Sequence, residues 1–188
     1  DQAVSLLEEG QGDVSLLAGG QSLIPLLKLR ISEPEALIDI NFIDGLSYVT
    51  RENGSFRFGA MTRHNDIAKS SKVAEALPMV VDCAGGIADD QIRNRGTVGG
   101  SIAEADPSGD WAATLLTLDT RLKCHGPEGT RTITLDDFFE DAFSTALGPN
   151  ELIEEVIVDL PEEPSGGAFM AFKRSPQGYA SASVAARL

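Results

Sequence analysis

The sequence predicts an α+β fold, and three features of its residue pattern support this class. The first forty-odd residues run from a short apolar segment through a helical pattern to a second apolar segment, which is typical of a βαβ unit. From Leu46 to about Glu163, short strand patterns are mixed with helices, as in α+β proteins. The stretch from Pro161 to Gly167 is rich in proline, glycine and acidic residues, which indicates a linker.

These features predict three consecutive units. The chain begins at Asp1 within a helical pattern and ends at Leu188 within the strand-like run that starts at Ala182. We therefore expect the first and last units to be truncated parts of a longer polypeptide. The predicted units are an N-terminal α/β subdomain over residues 1–45, a second α+β subdomain over residues 46–163, and the beginning of a C-terminal domain over residues 164–188.

The N-terminal unit should open on a helix that Gly10 ends, because several apolar residues before it share one face. The run from Val14 to Ala18 suits a buried strand, and Ser22 is placed to cap the helix that follows. Pro25 lies in the first turn of that helix, where its missing N–H is tolerated. A second strand is expected over 36–40. The apolar residues that define the two helices are Ala3, Leu6 and Leu7, then Leu23, Leu26, Leu27 and Leu29.

The second unit shows short apolar and β-branched runs separated by turn residues. We expect its strands over 56–60, 121–125, 130–134 and 153–160, and its helices over 65–72 and 110–118.

Composition limits the possible partners and cofactors. Fifteen Lys and Arg oppose 29 Asp and Glu for a net charge of −14, so nucleic acid and anionic membranes are poor partners. No apolar run is long enough for membrane insertion. Cys83 and Cys124 are far apart and no export leader precedes them, which favours a cytoplasmic location. Two cysteines and two histidines at these spacings cannot hold an iron–sulfur cluster or a metal ion, so any redox cofactor should be organic.

The first candidate binding motif is Leu17-Ala18-Gly19-Gly20-Gln21-Ser22. It leads from a predicted strand through a glycine pair to a helix start, where free backbone N–H groups suit a pyrophosphate. The same pattern also occurs as a purely steric turn. The third glycine of the Rossmann fingerprint and the lysine of a P-loop are both missing.

The second candidate motif runs from Arg93 to Ile102 and is again glycine-rich. Its residues Thr97, Gly99, Gly100 and Ser101 are expected to offer backbone N–H and hydroxyl donors to phosphate oxygens. We expect any β-carbon at Gly99 to occupy pyrophosphate space, so that a bulky substitution removes the cofactor without unfolding the protein. Asp110 can accept from sugar-like hydroxyls or can cap the helix near Trp111.

Both motifs resemble the FAD signatures of a known family. AGGQS at Ala18–Ser22 and TVGG at Thr97–Gly100, with RNRG before it, are similar to those of the FAD-binding medium subunits of molybdenum hydroxylases. This family includes the medium subunit of carbon monoxide dehydrogenase and the FAD domain of xanthine dehydrogenase. QSLIPLLKLR, IDIN, FGAMTRH and ADPSGDW are also similar and stand in the same order, so the resemblance covers nearly the whole chain.

The resemblance implies the vanillyl-alcohol-oxidase (PCMH) type of FAD-binding fold, in which two α/β subdomains hold an extended FAD. It places the pyrophosphate at residues 17–22 and 97–101, and the ribityl chain at Asp110. Leu147 is expected against the cofactor, Ile87 beside the flavin ring and Tyr179 over it, although core packing explains Ile87 and Leu147 equally well. FAD is expected to be non-covalent, because neither His64, a loop residue near a helix start, nor the exposed strand-end His125 lies in an attachment motif.

The resemblance also implies a role in a larger oxidoreductase. A large molybdopterin-binding subunit transforms the substrate, a small subunit carries two [2Fe–2S] clusters, and FAD on this chain passes the electrons to an outside acceptor. A dimer of such heterotrimers is expected, and no residue of this chain need be catalytic.

Two positions depart from the family pattern. Ala171 stands where a lysine is expected, and Lys173 could replace it only if the backbone is shifted. Glu104 stands where a neutral or basic residue is usual, and a carboxylate there would lower the flavin potential if it points inward. Three alternatives therefore stay open, namely an FAD-free interaction subunit of the same fold, a stand-alone flavin oxidase and a phosphate-ligand binding protein.

Overall fold

The chain folds around a five-stranded antiparallel sheet, as seen in a computed structural model that describes residues 1–161, 165–175 and 177–188. The helices are α1 Gln2–Glu9, α2 Leu23–Lys28, α3 His64–Ala68, α4 Ser71–Ala76, α5 Pro78–Gly86, α6 Asp90–Arg93, α7 Val98–Glu104, α8 Asp110–Leu115 and α9 Leu135–Phe138. The strands are β1 Val14–Leu17, β2 Ala36–Asp39, β3 Val49–Glu52, β4 Ser55–Gly59, β5 Thr120–Gly126, β6 Gly129–Thr134, β7 Phe139–Asp141, β8 Ser144–Thr145, β9 Leu152–Asp159, β10 Gly167–Lys173 and β11 Ala180–Arg187. This mixture confirms the α+β class.

The N-terminal βαβ unit is confirmed, because β1 and β2 pair in parallel with α2 between them. Two details were wrong. Helix α1 buries Val4 along with Ala3 and Leu7, while Leu6 is 40% exposed. Ser22 occupies the N-cap position of α2 but makes no capping hydrogen bond, because its backbone is helical (φ −100°, ψ −52°) and not extended as in a capping residue.

The five-stranded sheet has the order β3-β4-β9-β5-β6, and each pair of neighbours is antiparallel. The four strands expected in this region are confirmed within one or two residues at each end. Because side chains alternate between the faces of a strand, one face carries the apolar residues that pack beneath the helices. These buried residues are Phe56, Phe58, Leu122, Cys124, Val156 and Val158.

The opposite face of the sheet is polar and is covered by ion pairs between neighbouring strands. Arg57 bonds to Glu155 at 2.6 Å, and Lys123 bonds to Glu154 at 2.7 Å.

The helical layer differs from the prediction in several places, and the short helices α6, α7 and α9 were not predicted. The helix expected over 65–72 is two short helices, because α3 ends at Ala68 with Lys69 as its C-cap, and Ser70 then caps α4 by accepting from Val73 N. Helix α5 was not predicted. It is buried at Met79, Val80, Cys83 and Ala84, and a helix that is apolar on most sides lacks the amphipathic period by which helices are recognised. Helix α8 is confirmed but ends at Leu115.

The C-terminal hairpin of β10 and β11 packs against α5 and α8 and buries Phe169 in the main core. Residues 162–164 of the predicted linker lie outside the described residues, as does the expected boundary between 163 and 164. Both boundaries between the three predicted units stay predictions. Across the described part of the chain, no helix has the length and apolar character required to traverse a bilayer.

Candidate functional site

A cavity of about 450 Å³ lies between the N-terminal βαβ unit, the helical layer and the C-terminal hairpin. Every proposed cofactor-binding residue except Leu17 lines it. Side chains alternate along β1, so Leu16 and Ala18 reach the cavity and Leu17 does not. The proposed residues that line the cavity are Ala18, Gly19, Gly20, Gln21, Ser22, Ile87, Thr97, Gly99, Gly100, Ser101, Asp110, Leu147 and Tyr179. Their contact with a cofactor stays a prediction.

The first loop, which connects β1 to α2, presents unpaired backbone donors. Among the residues that the structure describes, the N–H groups of residues 20–23 donate to no backbone or side-chain acceptor. Gly20 has φ +71°, a conformation that favours glycine. The Gln21 side chain stabilises the turn by donating from Nε2 to Gly19 O at 2.9 Å. Successive free amides in a cavity wall are suited to binding an anion.

The two glycine-rich loops touch each other. A β-carbon on Gly19 would overlap the carbonyl oxygen of Arg95 and lie 2.7 Å from Gly96 Cα. A β-carbon on Gly100 would lie 3.5 Å from Ala18 Cβ. Gly19 therefore permits a close approach of backbone to backbone, and Gly100 lies at ordinary contact distance, so both loops lie on one side of the cavity.

The second loop, over residues 93–102, offers fewer free backbone donors than were expected of it. It begins helix α7, and three of the expected N–H donors already have partners. Gly99 N donates to Ala60 O at 2.9 Å, while Gly100 N and Ser101 N donate to Thr97 Oγ1 and Thr97 O at 3.1 Å. Of the expected donors, the loop can still offer a ligand the backbone N–H of Thr97, which has no acceptor among the described residues, and the hydroxyl groups of Thr97 and Ser101.

The reason given for Gly99 was also wrong. A β-carbon there would lie 2.5 Å from Ala60 Cβ and 2.8 Å from Ala60 O. Glycine is required at this position for packing of α7 against the end of β4, so a larger residue strains the fold before it reaches any ligand.

Asp110 provides a buried acceptor. It is the first residue of α8, but Gly109 holds the N-cap position and no side chain caps the helix, so the capping alternative is wrong. Its side chain is buried, with only 6% exposed. Lys173 Nζ binds Oδ2 at 2.9 Å, whereas Oδ1 has no partner among the described residues. An unpaired buried carboxylate oxygen calls for a donor from a ligand or water.

Lys173 also lines the cavity, although it was not among the predicted cofactor-binding residues. Its Nζ also donates to Gly86 O at 2.7 Å and so joins the hairpin to α5. The pairing register of β10 with β11 shifts between Phe172 and Lys173, but the unpaired residue is Ser181 of β11, so β10 itself has no extra residue that displaces Lys173. The two-residue alternation from buried Phe169 was the available signal, because it places Ala171 and Lys173 on the same face.

The carboxyl group of Glu104 and the phenol of Tyr179 lie at the edge of the cavity. Glu104 lines the cavity, and burial, followed by repulsion from Asp106, raises the pKa of its carboxyl. Tyr179 also lines the cavity but remains 65% exposed. Burial of its ring and the nearby Asp106 raise the pKa of its hydroxyl.

Both histidines lie at the expected places, a helix start and the end of a strand, but they are more buried than expected. His64 begins α3, is only 4% exposed and lines the cavity, and its Nδ1 accepts from Trp111 Nε1 at 3.1 Å. Burial, with the charges of Arg63 and Arg93, lowers its pKa to about 4. His125 is partly buried within β5, not exposed, and its Nε2 lies 3.1 Å from Asp1 Oδ1.

Apolar side chains complete the cavity. Several of them were not predicted, because they are ordinary core residues whose position depends on how distant segments meet. They are Leu16, Ile40, Met61, Leu152 and Ile153. Together with Ile87 and Leu147 they provide walls that suit a planar aromatic ring, while the first loop and Asp110 provide polar partners.

Comparison with known proteins agrees with this arrangement. Residues 1–161 match the family model described as the FAD binding domain in molybdopterin dehydrogenase. The chain is 40% identical over 184 residues to the carbon monoxide dehydrogenase medium chain of Hydrogenophaga pseudoflava, covering 98% of this chain and 64% of that protein. It is 39% identical over 180 residues to the 6-hydroxypseudooxynicotine dehydrogenase complex subunit alpha of Paenarthrobacter nicotinovorans, covering 96% and 61%.

A solved structure of the carbon monoxide dehydrogenase from Hydrogenophaga pseudoflava superposes with a TM-score of 0.94 at 41% identity, covering 97% of this chain and 63% of that one. The chain thus spans somewhat less than two thirds of the length of the relatives it matches. Its cavity, its paired loops and these similarities lead to one assignment: the chain belongs to the family of FAD-binding domains of molybdopterin dehydrogenases.

Proposed function

We propose that this chain binds FAD non-covalently in the cavity and serves as the electron-transferring FAD subunit of a molybdenum hydroxylase. The observation that carries the proposal is the meeting, in one cavity, of unpaired amides at residues 20–23 with the unpaired Oδ1 of Asp110, between apolar walls. FAD combines an anionic pyrophosphate, a hydroxylated ribityl chain and an apolar ring, so its parts match the three kinds of surface present.

In this proposal each part of the cavity has one task. The amides of the first loop and the hydroxyls of Thr97 and Ser101 bind the pyrophosphate. Asp110 Oδ1 accepts from a ribityl hydroxyl while Lys173 holds the carboxylate in place. Ile87, Leu147 and Tyr179 pack against the ring. Leu17 contributes only through its backbone, which continues the pairing of β1 with β2 up to Ile40.

The assembly is proposed from the relatives, which are medium chains or complex subunits of dehydrogenases. Bound FAD would accept electrons from [2Fe–2S] clusters on a small partner and release them to an external acceptor. A large molybdopterin subunit would transform the substrate, and the complex would be a dimer of heterotrimers. Units 1–45 and 46–163 would hold FAD, with a C-terminal domain starting at 164.

The proposal is tested first by flavin content. The full-length protein should purify with flavin absorbance that denaturation releases, or should take up added FAD when isolated as the apoprotein. It should also co-purify with a molybdopterin protein and an iron–sulfur protein. A colourless protein that does not bind added FAD would contradict cofactor binding. A protein that elutes without partners and is active as an oxidase would contradict the proposed assembly.

Asp110→Ala is the first variant to test. Because it removes the buried acceptor in the cavity, FAD should bind roughly ten- to a hundredfold more weakly. The dissociation constant is measured by titrating the apoprotein with FAD. The matched control is Asp119→Ala, since the Asp119 side chain is 70% exposed and makes only a 3.4 Å contact with Arg187. Equal FAD affinity in the two folded variants would remove Asp110 from the site.

A further inference from the structure

His64 stands at the junction of the two loops. It is the buried first residue of α3, and its backbone N–H donates to Gly96 O at 3.2 Å, immediately before Thr97. A β-carbon on Gly96 would lie 2.7 Å from His64 Nε2, so the imidazole edge lies directly against this glycine. Gly96 in turn touches Gly19 of the first loop. The imidazole therefore underlies the point where the first and second loops meet, and it lines the same cavity.

The hydrogen bond to Trp111 determines which ring nitrogen of His64 carries the proton. An indole N–H can only donate, and it lies 3.1 Å from Nδ1, so Nδ1 must be the acceptor. A neutral imidazole then carries its single proton on Nε2. The ring is neutral near pH 7, because burial and the positive charges of Arg63 and Arg93 hold its pKa far below that value.

The Nε2–H group has no acceptor in the part of the chain that the structure describes. Nε2 is not among the buried side-chain atoms that lack a partner, which are Arg57 Nε and Asp110 Oδ1 in the described residues, so this nitrogen retains some exposure. Because His64 lines the cavity, an oxygen atom of a bound ligand can supply the missing acceptor.

We propose that His64 is a ligand-contacting residue whose Nε2–H donates a hydrogen bond to a phosphate oxygen of the dinucleotide in the cavity. The inference rests on the proposed function, and it adds a side-chain donor to the amides of the first loop. Trp111 acts as a positioning residue, since its indole N–H holds the imidazole in the tautomer that can donate. Because the imidazole is neutral, it donates this hydrogen bond without adding a charge to the protein, whether or not the ligand is bound.

A matched pair of substitutions separates the two ring nitrogens. His64→Asn keeps an oxygen that can accept from Trp111 but removes the donor at the Nε2 position. His64→Gln places an amide N–H at the Nε2 position but loses the acceptor for Trp111. Titration of the full-length apoprotein with FAD should show binding weakened about ten- to a hundredfold in His64→Asn and less than about threefold in His64→Gln.

Two outcomes overturn the proposal, namely wild-type FAD affinity in His64→Asn, or equal weakening in both variants. Thermal unfolding and the emission of Trp111, the single tryptophan of the chain, show whether each variant is folded. If the wild-type apoprotein itself fails to bind FAD, the proposed function fails. If the wild type binds and His64→Asn binds equally well, only the role of His64 fails.

Nitrogen-15 NMR of the histidine side chains provides a second, direct readout. His125→Gln assigns the signals, because the chain has two histidines. At pH 7 we expect His64 to carry its proton on Nε2, and we expect that signal to shift when inorganic pyrophosphate or FAD is added but not with riboflavin. A proton on Nδ1, or a shift with riboflavin alone, would contradict a phosphate contact.

Discussion

At the scale of single residues, the polar groups of the cavity fall into two classes. Some already have protein partners, such as the Gly99 and Gly100 amides and Asp110 Oδ2. Others have none among the described residues, such as Asp110 Oδ1 and the Nε2–H of His64. Because folded proteins rarely leave a buried polar atom unpaired, Asp110 Oδ1 in particular indicates where a ligand binds. The sequence shows which residue types are present but not which of their atoms remain free.

The low pKa of His64 predicts a pH-dependent stability. Its pKa is about 4 in the folded protein and 6.5 for an ordinary histidine. Between pH 6.5 and pH 4, His64 is therefore protonated in the unfolded chain but neutral in the folded protein. Stability should be complete above about pH 6.5 and fall by roughly 3 kcal/mol as the pH drops to about 4, with no further loss from this group below that.

Urea unfolding of the wild type and of His64→Gln at several pH values between 7 and 4 measures this contribution. The acidic residues titrate in both proteins, so the difference between the two curves isolates His64. A difference in unfolding free energy that stays constant across this range would show that the imidazole is not held neutral by burial.

At the scale of secondary-structure elements, the site depends on how closely short segments approach one another. The first loop follows β1 and the second begins α7, and their glycines allow them to touch. Helix α7 packs on the end of β4 through Gly99 and Ala60. The glycine pattern in the sequence indicated two tight turns, but it could not show whether each glycine faces a ligand or a neighbouring backbone.

Gly99→Ala is therefore expected to destabilise the fold itself. The added methyl group would overlap Ala60, and such overpacking typically costs about 1–3 kcal/mol. Chemical unfolding with and without FAD measures the effect. Gly86→Ala is the matched control, since a β-carbon there meets no atom within 4 Å and should change stability by less than about 1 kcal/mol. An unchanged unfolding free energy in Gly99→Ala, with FAD lost, would restore the pyrophosphate explanation.

At the scale of the whole molecule, three parts of the chain that are distant in sequence enclose the cavity. The N-terminal unit provides the first loop, the helical layer provides α7 and α8, and the C-terminal hairpin provides Lys173 and Tyr179. Lys173 bonds to Gly86 O in α5 and to Asp110 in α8. It is thus the polar link between the hairpin and the helical layer at the cavity.

Lys173→Met should destabilise the protein by about 3–5 kcal/mol, because it leaves the Asp110 carboxylate buried and unpaired. The side chains of this pair are only 13% and 6% exposed. Urea unfolding measures the loss, and adding Asp110→Leu to Lys173→Met should recover part of it. Lys123→Met is the control, since the Lys123–Glu154 pair is 35% and 30% exposed and should contribute less than about 1 kcal/mol. Equal losses in the two single variants would show that the Lys173 pair is not effectively buried.

The sequence by itself determined the fold class, most strands, the βαβ unit and thirteen of the residues that line the cavity. These features are encoded locally, in alternating apolar residues and in glycine-rich turns that follow predicted strands. The tertiary structure decided the rest, including the buried helix α5, the cavity position of His64 and the pairing of Lys173 with Asp110. Which polar atoms stay free depends on contacts between segments far apart in the chain, and no local pattern records those contacts.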